Sequence, residues 1–259
     1  MSKDAAGPID RIAPTNRPNE SPAGYQRWRT LLFVHWRIPA IELEPLLPDR
    51  LTVDTYDGSA WVGIVAFHMT GVRPWWSPPV PGLSSFHETN VRTYVHLDGG
   101  DPGVWFFSLD ASNSPAVRLA RWRWRLEYHR AVMSIRTTGL RVRYESERLW
   151  PGRIGIGGTL EAEYGDRIGG LDRNRPAGQA VPGTLEHFLA ERYLLYTQHP
   201  DGRLLRGRVH HAPYPLREAE MLECRQTLLA AAGIKPHSDV AHVLYSEGVD
   251  VSVFPLRPV

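Results

Sequence analysis

Strand-forming runs bounded by Gly and Pro recur along nearly the whole chain, and no strict alternation of strand with long helix interrupts them. Many short strands separated by turn signals build sandwiches or barrels, whereas alternating strands and helices build parallel sheets. The run TLLFVHWRI at 30–38 is aromatic and β-branched and reads as a buried strand that Pro39 breaks. AWVGIVAFHMTGVRP holds Gly63 and Gly71 and reads as a strand bent at its glycines. FHETNVRTYVHL and GVWFFSLDA, joined by DGGDPG, predict a hairpin. Further strands are expected at 127–136, 139–149, 155–164, 192–198, 203–211 and 249–256.

Helical signals are fewer. IELEPLLPDRL reads as a short helix, 114–124 as a helix capped by Ser or Asn with Pro115 in its first turn, and TLEHFLAERY as another. The longer REAEMLECRQTLLAAAG reads as a helix closed by Gly233. PWWSPPVPG at 74–82 is a rigid, partly apolar flap, and 166–183 a polar loop. About ten strands with about four short helices predict a mainly β fold, a closed or nearly closed antiparallel β-barrel with a few short flanking helices. It is expected as a single domain over 25–259, after a flexible N-terminal leader at 1–24.

Composition removes several function classes. Thirty basic against 28 acidic residues leave a net charge of +2 without a long basic run, so nucleic acid is not an expected partner. The basic residues are 28 Arg and only two Lys, Lys3 and Lys235, so any amine chemistry must use one of those two. A single cysteine, Cys224, excludes an intramolecular disulfide and fits a reducing compartment. No segment approaches the roughly 20 apolar residues that span a bilayer, and no signal-type stretch opens the chain; a cytoplasmic protein without membrane partners is expected.

The densest polar cluster in an apolar strand is His87, Glu88, Asn90 and Arg92. Alternate strand residues share a face, so Glu88, Asn90 and Arg92 point one way. If that way is the interior, they form a wall that can orient a carboxylate or carbonyl compound, with Arg92 holding an anion and Glu88 moving a proton. The competing reading is a buried Glu88–Arg92 pair that satisfies itself. His35, His68, His96, His210 and His211 show no metal-ligand spacing, and no metal or other cofactor is expected. RLARWRWR at 118–125 reads as a helix face of Arg stems over Trp122 and Trp124 more readily than as a phosphate or nucleic-acid site. GRIGIGG at 152–158 precedes an alternating TLEAEY, so it reads as a bent strand or turn rather than a phosphate loop.

Taken together, FVHWRIP with LPDRLTVD, AWVGIVAFHMTGVRP, FHETNVRTYV, GVWFFSLDAS, HFLAERYLLYT, RGRVHHAPYPL and YSEGVDVSVFPLR resemble the YqjF-like family of uncharacterised bacterial proteins over about residues 28–257. That family is distantly similar to acetoacetate decarboxylase, which implies a cone-like β-barrel around a small pocket. In the decarboxylase a lysine pair forms the Schiff base; the resemblance, through Ala120, Arg121 and Trp122, puts that pair on Tyr128 and His129, neither of which can form an imine. The resemblance also implies Glu88 as the pocket glutamate and an N-terminal-strand arginine near Arg29 as an anion holder. Tyr128 and His129 are candidates for acid or base, with only one of them facing the pocket. Two functions remain open: an enzyme acting on a small organic acid or carbonyl ligand by proton transfer without a Schiff-base lysine, or a non-catalytic small-molecule binding or sensing domain. A homo-oligomer is compatible with either.

Overall fold

The computed structural model describes residues 9–115, 117, 128–169, 176–199 and 201–259. In chain order the elements are β1 (Gly24–Ile38), α1 (Ala40–Leu43), β2 (Leu51–Val53), β3 (Ala60–Pro74), β4 (Phe86–Leu97), β5 (Gly100–Ala111), β6 (Tyr128–Thr138), β7 (Arg141–Trp150), β8 (Gly157–Arg167), α2 (Leu185–Ala190), β9 (Leu194–Gln198), β10 (Leu204–His210), β11 (Leu216–Gln226), α3 (Leu228–Ala231), β12 (His242–Val253) and β13 (Arg257–Pro258).

All thirteen strands belong to one sheet whose pairings close twice. One ring runs β5-β6-β7-β8-β11-β12-β1-β3-β4 and back to β5, and a smaller one runs β10-β9-β5-β4-β3-β1-β12 and back to β10. The rings share the wall β12-β1-β3-β4-β5. That wall is buried on both faces, which is why β3 reads as a continuous apolar run. Val62, Ile64 and Ala66 pack with Leu32, Val34 and Val91 into the core of the larger ring. On the opposite face Val65, Phe67 and Met69 pack with Leu31 and Phe33 toward the smaller one.

The β4–β5 hairpin forms as the sequence predicts, turning through Asp98 (φ 50°) and Gly99 (φ 84°), the left-handed pair that a two-residue hairpin turn requires. Two pairings depart from an all-antiparallel ring, because β5 lies parallel to both β6 and β9. Residues 112–127, between β5 and β6, are long enough for the crossover that parallel neighbours need. The helix expected at 114–124, and with it RLARWRWR, falls largely outside the described residues.

The predicted long helix REAEMLECRQTLLAAAG is a correction. Its first part is β11, filling the gap between β8 and β12, and only Leu228–Ala231 is helical before Gly233 turns away at φ 78°. Glu, Ala, Met and Leu favour helix locally, but the ring offers unpaired strand edges on both sides and the sheet wins. Ala219, Met221 and Cys224 pack on the core while Glu218, Glu220 and Leu222 are exposed. The glycines of GRIGIGG serve close strand contact: a Cβ on Gly157 would stand 1.9 Å from Ser146 O, and one on Gly158 2.0 Å from Arg225 O. The stretch read as a leader is tied down from residue 9 onward, by Arg11 on Asp54 and by Arg208, which donates to Pro14 O and Asn16 O. In the 74–82 flap Trp75 and Trp76 are exposed.

One irregularity in β1 decides which side chains reach the interior. Thr30 sits at φ 53°, and the register with β3 slips between Arg29 and Leu32. A bulge there inverts the phase of the strand, so Trp28 before it and Leu31 and Phe33 after it share one face. A β-branched residue at positive φ is strained by about 1–3 kcal/mol. Thr30→Gly should therefore leave the urea midpoint unchanged or raise it, although Gly in a regular strand costs about 0.5–1 kcal/mol. A drop by that ordinary amount would mean that Thr30 is extended and that Arg29, not Trp28, turns inward.

Candidate functional site

Inside the smaller ring lies a cavity of about 140 Å³. Its walls are mostly apolar, built by Phe33, Phe67, Phe106, Leu109 and Val209 among others, with a few polar side chains among them, the usual make-up of a small-molecule site. Glu88, Asn90 and Arg92, alternating on β4, all line it, as does Tyr128 at the start of β6. Four of the residues singled out in the sequence are thereby brought together.

Glu88 is buried, and Tyr128 donates its hydroxyl to Glu88 Oε2 at 2.8 Å. Burial pushes the Glu88 carboxyl up to about 7; the Tyr128 hydrogen bond opposes that rise, and the nearby Asp110 charge adds to it. Asp110 itself, rooted on the other face of β5, rises to about 6 through burial, against its 2.7 Å ion pair with Arg148. Burial and the Glu88 charge hold the Tyr128 phenol well above its ordinary value, so it remains a donor. Glu88 is consequently poised near neutrality, where a group gives and takes protons with comparable ease.

Arg92 does not pair with Glu88. Its Nη2 donates to Leu189 O at 2.8 Å and to the Tyr94 hydroxyl at 3.3 Å, and its guanidinium lies 5.6 Å from the Phe33 ring centroid. Among the described residues no carboxylate forms an ion pair with it, and its buried Nε has no partner, nor does Asn90 Oδ1. The self-satisfying Glu88–Arg92 pair considered above is therefore absent. The Tyr94 hydroxyl is fixed in turn, donating to Leu189 O at 2.7 Å and facing His35 Nε2 at 2.7 Å.

Two expected site residues lie elsewhere. Arg29 points away from the cavity: the Thr30 bulge turns it outward, where it pairs with Asp250 and donates to Trp28 O and Val249 O. His129 lies on the opposite face of β6 from Tyr128 and is held through Nδ1 by Pro151 O at 2.9 Å. Trp28 occupies the wall in place of Arg29, and the second buried cation comes from Arg192, which follows α2. Arg192 was legible only as part of HFLAERYLLYT, where a helical reading hid it. The Tyr214 ring also lines the cavity, and its hydroxyl makes no hydrogen bond among the described residues, so it is a phenol free to donate to a ligand. Lys235 is exposed beyond α3 and takes no part in the wall, and Lys3 lies outside the described residues. Among the described residues no three His, Cys, Asp or Glu side chains converge to hold a metal ion; His68 and His87 simply face each other, Nδ1 to Nδ1, at 3.0 Å.

This ringed sheet is the acetoacetate decarboxylase-like fold. It matches acetoacetate decarboxylase from Legionella pneumophila with a TM-score of 0.59 at 12% identity, covering 95% of this chain and 92% of that one. It also matches the enduracididine biosynthesis enzyme MppR complexed with pyruvate, with a TM-score of 0.57 at 13% identity, over 94% and 93% of the two chains. The chain belongs to the family DUF2071, described as an uncharacterized conserved protein, whose model matches residues 25–250. The uncharacterized protein YqjF of Bacillus subtilis (strain 168) is 35% identical over 237 residues, which is 90% of each chain. Among the described residues no helix is long and apolar enough to cross a membrane.

The Glu88 shift has a direct consequence for stability. A carboxyl whose folded pKa is raised favours folding fully below its ordinary value of 4.5, and that contribution is lost as pH rises through about 7. Glu88→Gln should flatten the fall in unfolding free energy between those values by up to about 3 kcal/mol. A residual slope from Asp110, which titrates in the same direction, should persist. Urea midpoints measured from pH 4.5 to 8 check this, and identical slopes for variant and parent would place Glu88 in solvent.

Proposed function

We propose that the protein is an enzyme that binds a small organic acid with a carbonyl group and moves a proton on it, Glu88 acting as the acid or base. The observation that carries this reading is a buried carboxyl poised near neutrality in the same cavity as guanidinium nitrogens that have no partner among the described residues. Arg92 and Arg192 would hold the ligand carboxylate through charge-assisted hydrogen bonds, and Tyr214 would donate to its carbonyl oxygen. On a strand rising about 3.3 Å per residue the Glu88 and Arg92 backbones stand about 13 Å apart, with Asn90 between them. The two side chains stand at separate points of one wall, so an anion held by Arg92 can present its carbon skeleton toward Glu88. That a protein of similar fold is complexed with pyruvate supports this size and charge of ligand.

The alternative, a non-catalytic binding or sensing domain, would be favoured by a Glu88 neutralised by an arginine in a filled interior. The absence of a Glu88–Arg92 pair, the Tyr128 contact and the open cavity weigh toward catalysis.

Pyruvate, acetoacetate and acetate should raise the melting temperature of the parent protein, and Arg92→Met should abolish that rise. In deuterated water the parent should exchange the methyl protons of pyruvate, followed by NMR, and Glu88→Gln should slow exchange by about 10²–10⁴-fold while still binding. Binding without any exchange in the parent protein would leave the sensing domain as the reading to keep.

Schiff-base decarboxylation has no support from the cavity, where no lysine lines the wall among the described residues. Acetoacetate with borohydride should leave no adduct on a cavity residue by peptide mass mapping. An adduct on Lys235 accompanied by loss of acetoacetate would overturn this.

A further inference from the structure

Asp54 is buried and has three donors aimed at its two oxygens. Arg192 Nη1 donates to Oδ2 at 2.8 Å. Arg11, from the N-terminal segment, donates its Nε to the same oxygen at 3.2 Å and its Nη2 to Oδ1. A carboxylate beside a guanidinium ordinarily takes it in a fork of two parallel hydrogen bonds. Here Arg11 makes the fork, and Arg192 is left with one bond to Asp54 and one from its Nε to Phe188 O at 2.8 Å. The remaining nitrogen, Arg192 Nη2, is buried without a partner among the described residues, on a side chain that lines the cavity.

The charges agree with this division. Two guanidinium groups flank the Phe188 ring, Arg192 at 4.3 Å and Arg11 at 5.3 Å from its centroid, and they share the single carboxylate of Asp54. With Arg92 close by, buried cations outnumber the carboxylate that serves them. The same segment grips a second cavity arginine, since Arg208 Nη2 donates to Pro14 O at 2.9 Å and Asn16 O at 2.7 Å. It therefore orients two of the three arginines in the cavity wall.

We propose that Arg11 is a positioning residue of the cavity: by occupying the fork on Asp54 it keeps Arg192 Nη2 free to hold the carboxylate of a ligand. This rests on the reading of the cavity as a carboxylate site. Residues 9–16 thus belong to the binding apparatus although none of them lines the cavity. Without Arg11, Asp54 Oδ1 is open to Arg192, the fork passes to the buried pair, and the nitrogen that met the ligand is drawn away from it.

The test compares the full-length parent with Arg11→Met, Arg192→Met and the double variant. Crystal structures without ligand provide the first readout: Arg11→Met should show Arg192 gripping both Asp54 oxygens. Pyruvate affinity by calorimetry provides the second, with Arg11→Met weakening it about tenfold, the loss of one charge-assisted hydrogen bond. In the Arg192→Met background the Arg11 substitution should cost less than twofold, whereas a merely structural role for Arg11 would weaken binding equally in both. An Arg192 side chain unmoved in the Arg11→Met crystal overturns the proposal. If the parent binds no pyruvate, the carboxylate reading of the cavity fails, and the crystal structures alone still decide whether Arg11 withholds the fork.

Discussion

Burial of one five-stranded wall on both of its faces is the constraint from which the architecture follows. β12, β1, β3, β4 and β5 serve two rings at once, so much of their length is buried on both faces. One face carries mainly packing residues, such as Leu32, Ile64 and Val91. The other face could have done the same, and over much of its area it does, through Phe33, Val65 and Phe67. Where β4 presents Glu88, Asn90 and Arg92 the packing is interrupted, and a cavity remains. Polar side chains inside a two-faced wall cost more than they return unless they are paired, and here Arg92 Nε and Asn90 Oδ1 are buried without a partner among the described residues.

The electrostatics divide along the same line. On the core side, Arg148 and Asp110 meet directly and Arg148 also donates to Ser108 Oγ at 2.6 Å, so this buried carboxylate has its cation beside it. On the cavity side the guanidinium of Arg92 is met by a carbonyl, a phenol and aromatic faces, none of which carries a full negative charge. A buried cation left in that state gains most from an anion arriving in its own low-dielectric surroundings. Glu88 does not supply that anion, because burial holds its proton on until about neutral pH. A single mostly apolar cavity therefore holds a cationic end and a protonatable end, and the three residues of β4 between them, Thr89, Asn90 and Val91, keep the two from cancelling.

Much of this was legible in the chain itself. Strand runs punctuated by Gly and Pro specified a mainly β ring, the Asp98–Gly99 turn fixed the β4–β5 hairpin, and period-two alternation put Glu88, Asn90 and Arg92 on one face, because these depend on neighbours in sequence. The scarcity of lysine confined any imine chemistry to Lys3 and Lys235 on composition alone. What sequence could not decide were matters set by partners distant along the chain. β11 reads as a helix by propensity and is a strand because β8 and β12 leave it an edge on each side. Arg29 reads as inward and lies outward because the bulge at Thr30, a residue with no local preference for positive φ, inverts the phase of β1. Arg192 reads as one more helix arginine until Asp54, 138 residues earlier, places it at the cavity. Local pattern determined which residues can share a face; the closing of the rings decided which face encloses a cavity, because only packing between remote segments removes water from one side of a strand and not from the other.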